Sequence, residues 1–161
     1  MANSKDLKAL QIRGVRECDI LDLVSLEKEC FNTYYKEHRF NEADFVDYLR
    51  KKKAIFLVAI LDSFLVGYVA GLVRTSQSQL SASLDSIAVL PKSQGSGVGD
   101  RLMHRFIEEA KQQGCKRIML DIAAANENGI RFFSRRGFQR IRRLPTYYGK
   151  ELDGILMKLD I

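Results

Sequence analysis

The run Gln94-Gly95-Ser96-Gly97-Val98-Gly99-Asp100 has the composition of a turn that holds an anion. Glycines let a backbone approach a ligand closely and adopt left-handed angles. The first N–H groups of a following helix have no intrahelical partner and carry partial positive charge. Phosphate is the group such a turn suits. The spacing is not the dinucleotide fingerprint, because Gly95, Gly97 and Gly99 stand two apart, and it is not a P-loop, because no Gly-Lys-Ser/Thr closes it. Further along, Asp121 interrupts an apolar stretch, where a carboxylate is either a catalytic base or the partner of an arginine or a loop amide. Asn126 precedes a helical pattern and offers its amide as an N-cap or as a ligand. Tyr147 and Tyr148 offer phenols from a loop, for chemistry or for packing.

These residues need elements to position them. Ile87, Ala88, Val89 and Leu90 read as the end of a strand that Pro91 stops, and Val98, Leu102, Met103, Phe106 and Ala110 recur at helical spacing after the glycine turn. Gly114 closes that helix. Residues 117–122 read as a strand with Ile118, Leu120 and Ile122 on one side and Met119 and Asp121 on the other. A helix from Asn126 to Gly137, a strand over 138–144, a loop over 145–154 and a last strand over 155–159 follow. Upstream, residues 11–16 suggest a short strand, Asp19 a cap for a helix reaching Phe31, and residues 42–51 a second helix. Two almost continuously apolar runs, 54–61 and 64–73, flank Asp62-Ser63 as a hairpin of buried strands. In the next strand the inward alternation runs Ala82, Leu84, then Ile87, Val89, a slip of one that either a β-bulge or register noise explains.

The whole chain narrows the possibilities. At 161 residues it suits one domain, 1–161, with 46% hydrophobic and 29% charged residues and no repeat. Residues 1–8 are polar and no apolar run reaches the ~18 residues a membrane span needs, so a soluble, cytoplasmic protein is expected. Cys18, Cys30 and Cys115 are odd in number and widely spaced, which suggests neither disulfides nor a metal site. Cys115 reads as a buried small hydrophobe, and His38 and His104 read as surface or helix-face residues. The net charge of +6 is densest at 50–53 and 140–143, but no aromatic residues interleave there, so a solvated face or steering of an anionic cofactor is expected in preference to nucleic acid.

In their order these features resemble the GCN5-related N-acetyltransferase (GNAT) family. There a strand ending in Val-x-Pro runs into Gln/Arg-x-x-Gly-x-Gly/Ala, matched here by Val89, Pro91, Gln94, Gly97 and Gly99. A second family motif, Asn-x-x-Ala-Ile-x-Phe-Tyr-x-x-x-Gly-Phe, is similar to the segment from Asn126 to Phe138, with Gly129 in place of the alanine and Phe133 in place of the tyrosine. The resemblance implies an α+β fold: a mixed, mostly antiparallel twisted sheet of about seven strands with four helices and a splayed, bulged central strand. It implies acetyl-coenzyme A as cofactor, its arm on the backbone of Ile87, Ala88 and Val89, its phosphates on Gln94, Gly95, Ser96, Gly97, Val98, Gly99 and Asp100, and Asn126 and Phe133 beside it. Asp121 stands where ribosomal-protein alanine acetyltransferases carry a glutamate base, and would act through a water.

The family's acid aligns with Phe133, which has no proton to give, so thiolate leaves unaided or Tyr147 or Tyr148 helps. The double tyrosine before Asp153-Gly154-Ile155-Leu156-Met157 resembles the protein N-terminal and ribosomal-protein branch, except that Gly154 replaces an alanine. In that branch the tyrosines line a narrow peptide cleft, and the loop between the first two helices forms another wall, where Tyr34 and Tyr35 either face the acceptor or pack under the loop. The implied acceptor is a protein or peptide N-terminal α-amine. A small-molecule amine of the same fold's repertoire and a non-catalytic coenzyme A-binding module are the alternatives. No metal is implied, and oligomeric state and partner subunits stay open.

Overall fold

The computed structural model describes residues 9–161; the polar segment 1–8 lies outside the described residues. The apolar runs are two-sided because the sheet they build is covered on both faces. In chain order the elements are β1 (Gln11–Gly14), α1 (Ile20–Cys30), α2 (Glu42–Arg50), β2 (Ala54–Leu61), β3 (Phe64–Ser76), β4 (Gln79–Val89), α3 (Val98–Gln112), β5 (Arg117–Ala123), α4 (Glu127–Ser134), β6 (Gln139–Leu144) and β7 (Gly154–Asp160). The strands form one seven-stranded sheet in the order β1-β2-β3-β4-β5-β7-β6, antiparallel except for the parallel pair β4–β5. The expected fold is therefore the observed one. The first strand is shorter than residues 11–16, and the third runs past residue 73 to Ser76, where a tight turn leads into the fourth.

Alternation along the strands sorts the core into two layers. Leu57, Val69, Ala82, Leu84, Ile118 and Leu120 pack under Leu102, Met103 and Phe106 of α3. Phe56, Val58, Tyr68, Ala70 and Ala88 face Leu23 and Leu26 of α1 and Phe45 and Tyr48 of α2. Cys115 is buried, as expected, and Cys18 is exposed. The basic run 140–143 lies on β6, at the end of the sheet, with its arginines exposed.

Two irregularities shape the middle of the sheet. Ala70 pairs with Ser86 but Gly71 pairs with Leu84, so Asp85 is the extra residue of a β-bulge in β4. The slip read from Ala82, Leu84, Ile87 and Val89 is thus a real bulge. Its consequence is that Asp85 and Ser86, neighbours in sequence, both turn to the α1–α2 face, where Tyr48 donates to Asp85 (2.5 Å) and the Tyr68 hydroxyl meets Ser86 Oγ (2.7 Å). Second, β4 pairs with β5 only at Ala82–Ile118 and Ser83–Met119. Beyond Ser83 the two strands diverge and leave a cleft in the sheet.

Asp19 departs from its expected role. Its carboxylate does not cap α1; it takes both guanidinium nitrogens of Arg13 (2.7 and 2.9 Å) and the Arg16 N–H (2.7 Å), joining β1 to the helix start. The Arg13 guanidinium, helped by the Arg16 N–H and working against burial, holds the Asp19 carboxyl below the usual carboxylate range. A carboxyl depressed by folding contributes stability that is complete above its unfolded pKa, near ~4, and is lost as pH falls through the folded value. We expect Asp19→Asn to lower stability by about 2 kcal/mol at pH 7, with the deficit shrinking below pH ~4, in urea denaturation at both pH values.

Candidate active site

The cleft between β4 and β5 opens into a cavity of about 550 Å³ that passes through the sheet. Along one wall lie Leu84, Asp85, Ser86, Ile87, Ala88 and Val89, whose β5-facing backbone edge has no strand partner because β5 has turned away. At one end are Gln94, Gly95, Gly97, Gly99 and Asp100, and at the other Asp121, Asn126 and Tyr148. Most of the residues singled out from sequence therefore meet in one space.

At the turn, Gly97 is the residue before α3 and has φ of 90°, and no side chain caps the helix N–H groups behind it. That is the arrangement an anion needs. The remaining turn residues divide by task. Val98 is buried in the core and can present only its backbone, the Ser96 hydroxyl donates to the Ser93 carbonyl, and neither lines the cavity. Gln94 spends its amide on the Val89 carbonyl (3.0 Å), tying the turn to the strand edge. Asp100 forms an ion pair with Arg136, whose guanidinium lies 3.4 Å over the Phe132 ring and whose Nε is buried without a partner among the described residues. An adjoining hollow of about 520 Å³ is lined by Arg131, Arg135 and Arg136. The sequence reading missed these arginines, although the basic pair before Gly137 was in view.

At the far end, Asp121 Oδ2 accepts from the Tyr147 hydroxyl (2.8 Å). This settles its partner as a phenol, not an arginine or loop amide, and the same hydrogen bond raises the Tyr147 phenol above its ordinary value. Tyr147 is half exposed and stands outside the cavity lining. Tyr148 lines the cavity, packed edge-on against Tyr35, Tyr147 and His38 at 5.2, 5.0 and 5.6 Å, and burial raises its phenol. Phe133 is buried against Phe132 and Phe138 (5.1 and 5.3 Å), a packing residue with one edge on the cavity.

Four further residues complete this end, of which only Tyr35 was expected there, as a wall residue. Glu27, on α1, is 2% exposed and takes the Tyr68 hydroxyl (2.5 Å) and the Phe40 N–H (3.0 Å); burial still holds its carboxyl above the usual range. Asp85 arrives by the bulge. His38, expected on the surface, is exposed yet lines the cavity. Tyr35 reaches in from the α1–α2 loop, and its oxygen accepts from the Ala123 N–H and from Asn126 Nδ2, both at 3.0 Å, while Tyr34 beside it is exposed. Cys30, near Val89 O (3.5 Å), is pushed by burial up to about 11 and stays a thiol.

The model of the acetyltransferase (GNAT) family matches residues 20–138. The chain belongs to that family. Among its relatives, an N-alpha-acetyltransferase of Sulfurisphaera tokodaii is 25% identical over 97% of this chain and 96% of its own. The ribosomal protein bS18-alanine N-acetyltransferase of Escherichia coli is 37% identical over 50% of this chain and 56% of its own. The crystal structure of Ard1 from Thermoplasma volcanium superposes with a TM-score of 0.82 at 25% identity, covering 95% of this chain and 98% of that one.

This acetyltransferase uses acetyl-coenzyme A, which supplies the thioester-activated acetyl group. Its site fits that molecule: an uncapped helix start beside a basic hollow for phosphates, an open strand edge for amide groups, and an apolar middle at Phe132 and Phe133. The departures from the family motifs also have physical reasons. A Cβ on Gly129 would stand 2.6 Å from Ile122 Cδ1 and 2.7 Å from Asn126 Nδ2, so the glycine admits the Asn126 amide that caps α4 and reaches Tyr35. A Cβ on Gly154 would stand 3.2 Å from Tyr147 and 3.3 Å from Tyr148, so this glycine lets both rings lie against β7. Helix propensity alone favours Gly129→Ala by about 1 kcal/mol. The expected outcome is the reverse, a loss of about 1–2 kcal/mol with displaced Asn126, read as a lower melting temperature and weaker coenzyme A binding by calorimetry.

Proposed function

We propose that the chain acetylates a free α-amine at the N-terminus of a protein or peptide, by direct attack of the amine on the thioester in a ternary complex. The observation that carries this reading is the continuity of the cavity, which joins the anion-binding turn to Asp121 and the tyrosines across the splayed strands. Cofactor and acceptor would enter from opposite ends and meet at the bulge. The relatives described as N-alpha- and ribosomal-protein acetyltransferases support the choice of acceptor.

In this reading Asp121 takes the proton of the attacking amine, directly or through a water, and Tyr147 orients its carboxylate by the 2.8 Å hydrogen bond. Backbone N–H groups of Ile87 and Val89 on the open edge are available to the cofactor arm and to the carbonyl oxygen as charge develops on it, whereas the N–H of Ala88, like that of Leu90, turns toward β3. Gln94, Gly95, Ser96, Gly97, Val98, Gly99 and Asp100 form the phosphate turn, with Arg136 beside it. Phe31, Tyr35, His38 and Tyr148 wall the acceptor end. An α-amine, with pKa near ~8, is deprotonated more readily than a lysine near ~10.4, so a carboxylate base suffices.

A second reading has its own observation. Glu27, Asp85 and Asp121 all line the acceptor end, and three carboxylates also suit a small polyamine.

Thiol release from acetyl-coenzyme A separates the two. We expect release with peptides bearing free N-termini, none with N-terminally blocked peptides carrying a free lysine, and little with polyamines. Release with polyamines alone would move the acceptor to the second reading, and coenzyme A binding without release from any acceptor would leave only a binding module. Asp121→Asn is expected to lower kcat by about 10²-fold or more while the dissociation constant for coenzyme A stays unchanged. An unaltered pH–rate profile in that variant would remove Asp121 from the base role.

A further inference from the structure

Expulsion of a thiol is assisted by a proton delivered to sulfur, and Phe133 has none. Tyr147 already commits its hydroxyl proton to Asp121. Burial first, and then the neighbouring Tyr35, Asp121 and Tyr147, oppose formation of a phenolate at Tyr148, and no hydrogen-bond donor to its oxygen is found among the described residues.

Tyr35 is placed differently. Its oxygen accepts two hydrogen bonds, from the Ala123 N–H and the Asn126 amide, so both lone-pair directions are filled and its own O–H must point elsewhere. No acceptor for that proton is found among the described residues, and the side chain lines the cavity. The two donors have a second consequence. N–H groups aimed at a phenol oxygen stabilise the phenolate left behind when the proton departs. One of those donors, Asn126, caps the helix that carries Phe133, and Tyr35, Asn126 and Phe133 all line the cavity. Burial keeps the free phenol protonated at neutral pH, while the Asn126 and Ala123 hydrogen bonds pull the other way.

We propose that Tyr35 is the general acid of this acetyltransferase, supplying from the α1–α2 loop the proton that position 133 cannot. This rests on acetyl transfer to an amine as the reaction. The amine nitrogen forms the C–N bond with its lone pair and gives its proton to Asp121. The C–S bond breaks with its electron pair on sulfur, and the sulfur takes the Tyr35 proton. The phenolate, held by Ala123 N–H and Asn126, is reprotonated from water as Asp121 releases its proton to water, so one proton has moved from amine to thiol.

The test is steady-state thiol release with acetyl-coenzyme A and the best acceptor from the peptide and polyamine panel, comparing the wild type with Tyr35→Phe. Phenylalanine keeps the ring that meets Phe31, Tyr34 and Tyr148 at 5.7, 6.2 and 5.2 Å, so the loop keeps its packing. The expected result is a fall in kcat of about 10²-fold, with acceptor KM and the calorimetric dissociation constant for coenzyme A each within about threefold of wild type. A kcat within threefold of wild type would overturn the acid role, as would a loss confined to KM, which marks a wall residue, or to coenzyme A affinity, which marks a brace for Asn126. A wild type that binds coenzyme A but releases no thiol with any acceptor would overturn the reaction itself, a result distinct from failure of Tyr35 alone.

Discussion

The structure depends on a sheet that comes apart in its middle. Between Ser83 and the end of β4, a strand near the centre of seven gives up its hydrogen bonds to β5. Unpaired backbone donors and acceptors inside a protein are costly unless something else satisfies them. Here water or a ligand must do so, and a ligand made of amides linked to phosphates matches both the strand edge and the helix start beyond it. The core on either side is complete, with Leu102, Met103 and Phe106 below and Phe45, Phe56 and Tyr68 above, so the sheet can open locally without losing its support.

The bulge does more than bend a strand. By adding Asp85 it brings two successive polar side chains to one face, and each is held by a buried tyrosine, Tyr48 for Asp85 and Tyr68 for Ser86. Tyr68 also binds Glu27, so the floor of the acceptor end is a connected polar network inside an aromatic layer. Such a network is rigid only when each member has its partner. The Phe40 N–H supplies the last bond to Glu27, which anchors the α1–α2 loop and hence the wall that carries Tyr35 and His38.

Most of the fold was legible because local signals agreed with tertiary needs. The glycine turn, the apolar stripe of α3, the two-sided strands and even the bulge left marks in residue spacing. Within the site, residues fixed by their own element could be read from sequence: Asp121 by alternation along β5, Asn126 by its cap, and Val98 as a helix position, although its burial leaves it only a backbone role. What could not be read depends on pairings far apart in the chain. Tyr35 meets Ala123 and Asn126 across some ninety residues, Glu27 meets Tyr68, and Arg136 meets Asp100. Periodicity assigns a face to such residues but not a partner. Asp19 shows the same limit at short range, since cap and ion pair predict the same residue type at that position.

The cavity is also electrically polar, and this bears on how its two substrates would be handled. Arg136, paired with Asp100, lines the turn end, with Arg131 and Arg135 in the adjoining hollow, and Glu27, Asp85 and Asp121 line the other end. A polyanionic donor and a cationic acceptor would each be drawn to its own end, and neither would gain by entering the wrong way round. The arrangement carries a cost for the chemistry. Carboxylates around an amine favour its charged form, which cannot attack, so the end that attracts the acceptor also disfavours the reacting species. A base hydrogen-bonded by a phenol, as Asp121 would be in the proposed reading, eases this conflict only when the acceptor's own pKa is low. That is the physical argument for an α-amine over a lysine or a polyamine at this site, and it is independent of which relatives the chain resembles.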